Sequence, residues 1–135
     1  MSNIGAGGPT GIEIDHCVVN VGDWEVARDF YTRVMGGRAI EVNGGYVFRF
    51  GDRQLNCHGP NKFAEPRAKD PVRPGNSDLC FVWPGPIAAA IAHLEEQGVD
   101  VEMRPVTRFG GRGEGTSVYF RDPDGSLMEF MSYDS

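Results

Sequence analysis

The sequence predicts an α+β fold made of two tandem βαβββ modules. Three observations carry this. Two segments, 24–35 and 85–99, place apolar residues at helical spacing. Each follows one strand-like run and precedes three more, and a polar, proline-punctuated stretch separates the two series. Module one is expected over about 12–60, the linker over about 61–75 and module two over about 76–133, as one domain spanning 12–135 behind a flexible tail at 1–11.

Each element has its own signal. "GIEIDHCVVNV" is rich in β-branched residues and reads as a strand. Asp23 then caps a helix whose stripe is Trp24, Ala27, Phe30, Tyr31, Val34 and Met35, and the glycine pair at 36–37 ends it. "RAIEV" and "YVFRF" flank "NGG", a hairpin signal, and "RQLNCHG" is the fourth strand. After "PNKFAEPRAKDPVRPGN", expected as a long loop, the order repeats. "SDLCFVW" is a strand, "GPIAAAIAHLEEQGV" a helix, and "VDVEMRPV", "TSVYFRD" and "SLMEFMSY" are strands. "GGRGEG" at 110–115 lacks the lysine of a phosphate-binding loop and is expected as a mobile loop.

Composition excludes several classes. A chain of 135 residues holds one compact domain, and a formal charge of −6 disfavours binding to nucleic acid. No apolar run approaches the ~18–20 residues that cross a membrane. The opening "MSNIGAGGPTG" does not read as a signal peptide. The three cysteines, Cys17, Cys57 and Cys80, form no Cys-x-x-Cys pair. They read as buried, reduced thiols of a cytoplasmic protein.

The chemistry is concentrated where the repeats match. Superposing them sets His16 opposite Asp78, and Asn56 or His58 opposite Glu129. Glu129 stands among Leu127, Met128, Phe130 and Met131, and an unpaired carboxylate there would be costly to bury. Alternation along a strand puts Asn56 and His58 on one face. If each sheet curls into a trough and the troughs face each other, His16, His58, Asp78 and Glu129 converge. Two imidazoles and a carboxylate suit a divalent ion and leave positions open for substrate, with Fe2+ favoured and Mn2+, Zn2+, Ni2+ or Co2+ possible. The expected metal ligands are therefore His16, His58 and Glu129, with Asp78 as a ligand, a base or a turn residue. His93, beside Glu95 and Glu96, reads as a surface residue.

"IDHCVVNVGDWEVARDFYTRVMGG" and "YFRDPDGSLMEFMSY", with the repeat, resemble the vicinal oxygen chelate superfamily. Glyoxalases, extradiol dioxygenases and bleomycin-resistance proteins belong to it. The likeness runs from Ile12 to Tyr133 and is nearest to small biphenyl-diol-dioxygenase-like glyoxalase-domain proteins, through "LNCHGP" and "PGNSDLCF". It implies a curved mixed sheet around a central cavity, with His16 and Glu129 at the first-strand and last-strand ligand positions. Asp78 stands where a histidine is usual. Tyr119, Asp122, Pro123, Gly125 and Glu129 match the tail of the extradiol signature, which implies a catalytic Tyr119. The histidine that should precede that tyrosine is missing, and Arg112 or glycines stand in its region.

The resemblance implies a metal-dependent enzyme that chelates a small oxygen-rich metabolite, phenolic or diol, in a dioxygenase-like manner. One rival is a glyoxalase-type lyase or an epimerase using a Lewis-acid metal. Another is a metal-free drug-binding protein walled by Trp24, Phe48, Phe50, Trp83 and Tyr119. A homodimer is expected, because the family often pairs modules between chains and sheet edges in so short a chain want cover.

Overall fold

The computed structural model describes residues 11–62 and 64–134. The expected tail therefore lies, but for Gly11, outside the described residues. Module one runs β1 (His16–Asn20), α1 (Trp24–Asp29), a π-helical turn (Phe30–Val34), β2 (Arg38–Val42), β3 (Gly45–Phe50) and β4 (Arg53–His58). Module two runs β5 (Asp78–Val82), α2 (Ile87–Glu96), β6 (Val106–Gly110), β7 (Gly113–Arg121) and β8 (Leu127–Ser132). The two sheets have orders β1-β4-β3-β2 and β5-β8-β7-β6. The β1–β4 and β5–β8 pairs are parallel and the other pairs antiparallel. One topology thus occurs twice, as the repeat predicts. No helix among the described residues is long and apolar enough to cross a membrane.

Local signals explain most boundaries. The Asp23 carboxylate accepts from the backbone N–H groups of Glu25 and Val26 at 3.0 and 2.9 Å, which starts α1. Asn43 and Gly44 both take positive φ, 47° and 80°, as a tight β2–β3 hairpin turn requires.

Two strands differ from expectation. β1 begins at His16, because its partner β4 begins only at Arg53 and upstream residues have no ladder to join. Ile12 and Ile14 are left 77% and 72% exposed. In module two the ordered strand is Val106–Gly110 and not the run before it. "GGRGEG" is the tight β6–β7 turn and the start of β7, with Gly110 opposite Gly113. A side chain at Gly110 would meet Met131 Sδ at 2.6 Å and the Tyr133 hydroxyl, so glycine here makes room for neighbours.

One hydrophobic cluster serves both modules. Val19, Phe48, Leu55 and Cys57 of the first sheet join Val118, Phe120, Met128 and Phe130 of the second. α1 and its π-helical extension reach both sheets: Tyr31 stacks on Phe48 at 5.1 Å, and Phe30 packs against Phe120 at 6.4 Å. The fully buried Tyr31 donates its hydroxyl to Asp122 at 2.8 Å. Asp122 in turn accepts the backbone N–H groups of Asp124 and Ser126. The "DPDG" turn is therefore also a bond between modules. Burial and the Asp122 charge push the Tyr31 hydroxyl well above its usual range, so it remains a donor.

His93 is not a plain surface residue. Its Nε2 donates to the Val34 carbonyl at 2.7 Å, and its ring lies 5.3 Å from Trp83. The Val34 carbonyl ends the first helix and needs a partner from outside it. The cysteines also divide: Cys57 is buried, whereas Cys17 and Cys80, on the edge strands β1 and β5, keep part of their surface open while the rest is covered.

Candidate functional site

Because the sheets share a core, alternation turns their other faces outward. On module two that face carries Asp78 and Cys80 from β5, Leu127 and Glu129 from β8, Tyr119 from β7 and Arg108 from β6. Glu129 lies in register between Cys80 and Tyr119. It is half-buried, and none of the described ion pairs includes it. Burial, then the Glu129 charge and a hydrogen bond to Glu129, push the Cys80 thiol up to about 12. Cys80 thus stays protonated beside the Glu129 carboxylate.

Asp78, Tyr119 and Glu129 line one cleft of about 480 Å³ with Arg108, Arg121 and Met103. Arg121 is held by Glu102 at 2.7 Å. Arg108 Nε donates to the Tyr119 hydroxyl at 2.9 Å. The tyrosine oxygen is an acceptor there, which leaves its own proton free for a ligand oxygen. Arg108 escaped the sequence reading because β6 was expected earlier in the chain.

On module one the outward face carries His16, Val18 and Asn20 from β1 and Gln54, Asn56 and His58 from β4. His16 Nδ1 is 2.7 Å from the Asp15 carboxylate. With Nδ1 turned to Asp15, Nε2 is the ring nitrogen left to approach a metal. The hydrogen bond from His16 holds the Asp15 carboxyl below its usual range against the opposing loss of solvent, with smaller help from the charges of His16, Arg53 and Arg49. Next to it runs a polar chain. Arg49 Nη2 and Nε donate to Gln54 Oε1 at 2.9 and 3.1 Å, and Gln54 Nε2 donates to Asn56 Oδ1 at 2.7 Å.

The expected ligands do not gather within one chain. His16 lines a cleft of about 310 Å³ with Phe50, Gln54 and Phe81. His58 lines another of about 410 Å³ with Asn20, Lys62, Arg67 and Arg73. His16 pairs with Gln54, and His58 lies four residues further along β4. That is roughly 13 Å at the usual rise of a strand, against ligand bonds of about 2 Å. Among the described residues no three of His, Cys, Asp and Glu lie close enough to hold a metal ion. The described residues of a single chain therefore do not by themselves form a site for a divalent ion. Of the residues on module two's outward face, Cys80 joins His16 in its cleft, whereas Asp78, Tyr119 and Glu129 line another.

The aromatic walls are likewise mostly committed elsewhere. Phe48 is fully buried. The Trp24 indole lies against Gly45 and Gly59 and donates to the Pro60 carbonyl at 3.0 Å. Trp83 packs on Phe130 and shares a cleft of about 630 Å³ with Phe50, so two of the five wall residues do come together. Phe50 and Tyr119 do line clefts, but different ones.

Comparison with known proteins bears on this arrangement. The model of the Glyoxalase/Bleomycin resistance protein/Dioxygenase superfamily matches residues 13–130. The chain is 41% identical over 121 residues to the glyoxalase domain-containing protein RDO1 of Mycosarcoma maydis, covering 89% of this chain and 68% of that one. It is 36% identical over 121 residues to the virulence protein STM3117 of Salmonella typhimurium, covering 89% and 83%. An integron cassette protein from the mobile metagenome of V. cholerae superposes with a TM-score of 0.82 at 39% identity, over 91% of this chain and 96% of that one. The same duplicated fold recurs in lactoylglutathione lyase from Agrobacterium tumefaciens, with a TM-score of 0.68 at 22% identity over 93% and 96%. Family match and duplicated topology agree: the chain belongs to the glyoxalase/bleomycin resistance protein/dioxygenase superfamily.

Proposed function

We propose that the protein is a metal-dependent enzyme acting on a small oxygen-rich metabolite, with each site completed by a second copy of the chain. One observation carries this reading. Matching positions of the two modules present His16 in one cleft and Asp78 and Glu129 in another, and no three such groups among the described residues gather to hold one ion. Among the described residues both β1 and β5 are sheet edges with one side unpaired. A two-fold pairing that sets β1 of each copy beside β5 of the other would bring these faces together twice, in identical sites.

In such a site His16 Nε2 would join Asp78 and Glu129 from the partner chain, and His58 would lie at the rim. A divalent ion held there supplies chelation of two neighbouring substrate oxygens and stabilisation of the negative charge that develops on them. The chain's own groups do the rest. Tyr119, with its oxygen occupied by Arg108, donates its proton to a substrate oxygen. Whichever of Asp78 and Glu129 is less tightly engaged takes a proton from the substrate. One imidazole and two carboxylates form an oxygen-rich set that suits Mn2+ or Fe2+. With Fe2+ the dioxygenase-like reading applies, and with Mn2+ redox-neutral proton transfer.

The test mixes two inactive variants. His16→Ala and Glu129→Ala chains should each fail to bind Mn2+, measured by electron paramagnetic resonance. Equilibrated together they should recover about a quarter of the wild-type sites, since half the dimers are mixed and each mixed dimer has one intact site. A wild-type protein that binds neither Mn2+ nor Fe2+, or a mixture that recovers nothing, overturns the proposal. Oxygen uptake with catechol-like diols under Fe2+ then separates the two chemistries.

A further inference from the structure

On module one, the position that matches Glu129 holds Asn56, and its chemistry is fixed by a neighbour that has no choice of polarity. Arginine donates and never accepts. With two Arg49 N–H groups on it, the Gln54 atom facing Arg49 must be the carbonyl oxygen. Gln54 therefore turns its NH2 to Asn56, and the Asn56 atom that receives it must be Oδ1. The assignment of both amides follows from the guanidinium alone, whichever way either amide would otherwise be drawn. Asn56 is left with Nδ2 as its unengaged end: no hydrogen bond from Nδ2 is formed among the described residues. None of the described ion pairs includes Arg49, so its charge polarises this chain uncompensated by a bonded carboxylate.

We infer that Asn56 is a fixed hydrogen-bond donor for an anionic oxygen of the ligand, held in that polarity by Arg49 through Gln54. The ligand class is then a carboxylate or an ionised hydroxyl, with its negative oxygen toward module one. Asn56 is thereby removed from the metal-ligand set, because its only ligating atom, Oδ1, already accepts from Gln54. Arg49 and Gln54 are positioning residues that act through Asn56. This reading rests on the proposed site insofar as the ligand is the same metabolite; the donor itself needs no metal.

Oxalate, a dianion with neighbouring oxygens, is the probe, and its neutral diamide oxamide is the control. In 15N-labelled protein without added metal, the Asn56 side-chain amide signal, identified by its loss in Asn56→Ala, should move saturably with oxalate and not with oxamide. Asn56→Ala should weaken oxalate binding at least tenfold without adding charge. Gln54→Glu is the sharper variant: a carboxylate facing both Arg49 and Asn56 would draw the Asn56 NH2 inward and turn Oδ1 out. Its oxalate affinity should fall at least tenfold, and the Asn56 signal should cease to respond. An Asn56 signal unmoved by oxalate, or Gln54→Glu binding oxalate as the wild type does, overturns the inference. Mn2+ binding is read separately: its absence defeats the metal site while the oxalate response still decides the donor.

Discussion

The outward faces of the two modules share one backbone and carry opposite chemistry. At the matching rung, Val18 stands opposite Asn56 in module one and Cys80 opposite Glu129 in module two. One step along β1 or β5, His16 matches Asp78. Module one thus offers an imidazole and an amide donor, and module two offers carboxylates and a tyrosine proton. A face that accepts beside a face that donates can hold a chelated metabolite from two sides, which neither face does alone. Duplication has kept the geometry of the rungs while their polarity diverged.

The largest break in this comparison is expected from Glu129→Gln. A neutral amide keeps the shape and loses the charge, so Mn2+ affinity should drop by about a hundredfold or more, as for loss of a primary ligand beyond the roughly tenfold to hundredfold of an outer partner. His58→Ala, on the same face as Asn56 but far along β4, should change it less than about twofold. Isothermal titration of both variants measures the contrast, and equal losses would erase the asymmetry between the faces.

Next in size is Tyr31→Phe, which tests whether the two modules are one folding unit. It strips the buried Asp122 carboxylate of one donor, at a cost of about 1–3 kcal/mol. Urea unfolding should show a lower midpoint with a single transition and an unchanged slope. Two separated transitions would mean that the modules melt independently.

The effect that is smallest at neutral pH, and shows only in alkali, concerns the rung itself. Cys80, pushed up to about 12 from an ordinary 9.0, stays protonated when an unfolded chain would already ionise. Its contribution to stability is complete below about pH 9 and lost as pH rises toward 12. Replacing it in Cys80→Ser should flatten the fall of stability between pH 9 and 12. A Val18→Cys variant, lacking a carboxylate opposite, should show a weaker dependence than Cys80. Thermal denaturation across that pH window makes the comparison.

Much of this architecture was legible in the residues. Alternation set Glu129 on the face opposite Met128 and Phe130, and the repeat matched His16 with Asp78. The helical stripe from Trp24 to Met35 named the buried surface of α1, although not the π-helical turn that widens it after Asp29. β6 was misplaced because "GGRGEG" carries loop chemistry, whereas its glycines serve to admit Met131 and Tyr133. The site was legible as a face and not as a meeting point. A period of two tells which residues share a side, but it does not tell on which side the other module packs. The polarity of Asn56 was hidden for a similar reason: it depends on Arg49 lying beside Gln54, a cross-strand register that no single segment encodes.

The common apolar cluster has one more implication, for the connection between β4 and β5. That stretch contributes no named strand or helix, yet it joins two halves that each hold only part of a hydrophobic interior. Severing it would cost tethering and little packing. Two fragments made in the same cell would find each other as complementary surfaces, while either one made alone would expose an unfinished interior and precipitate.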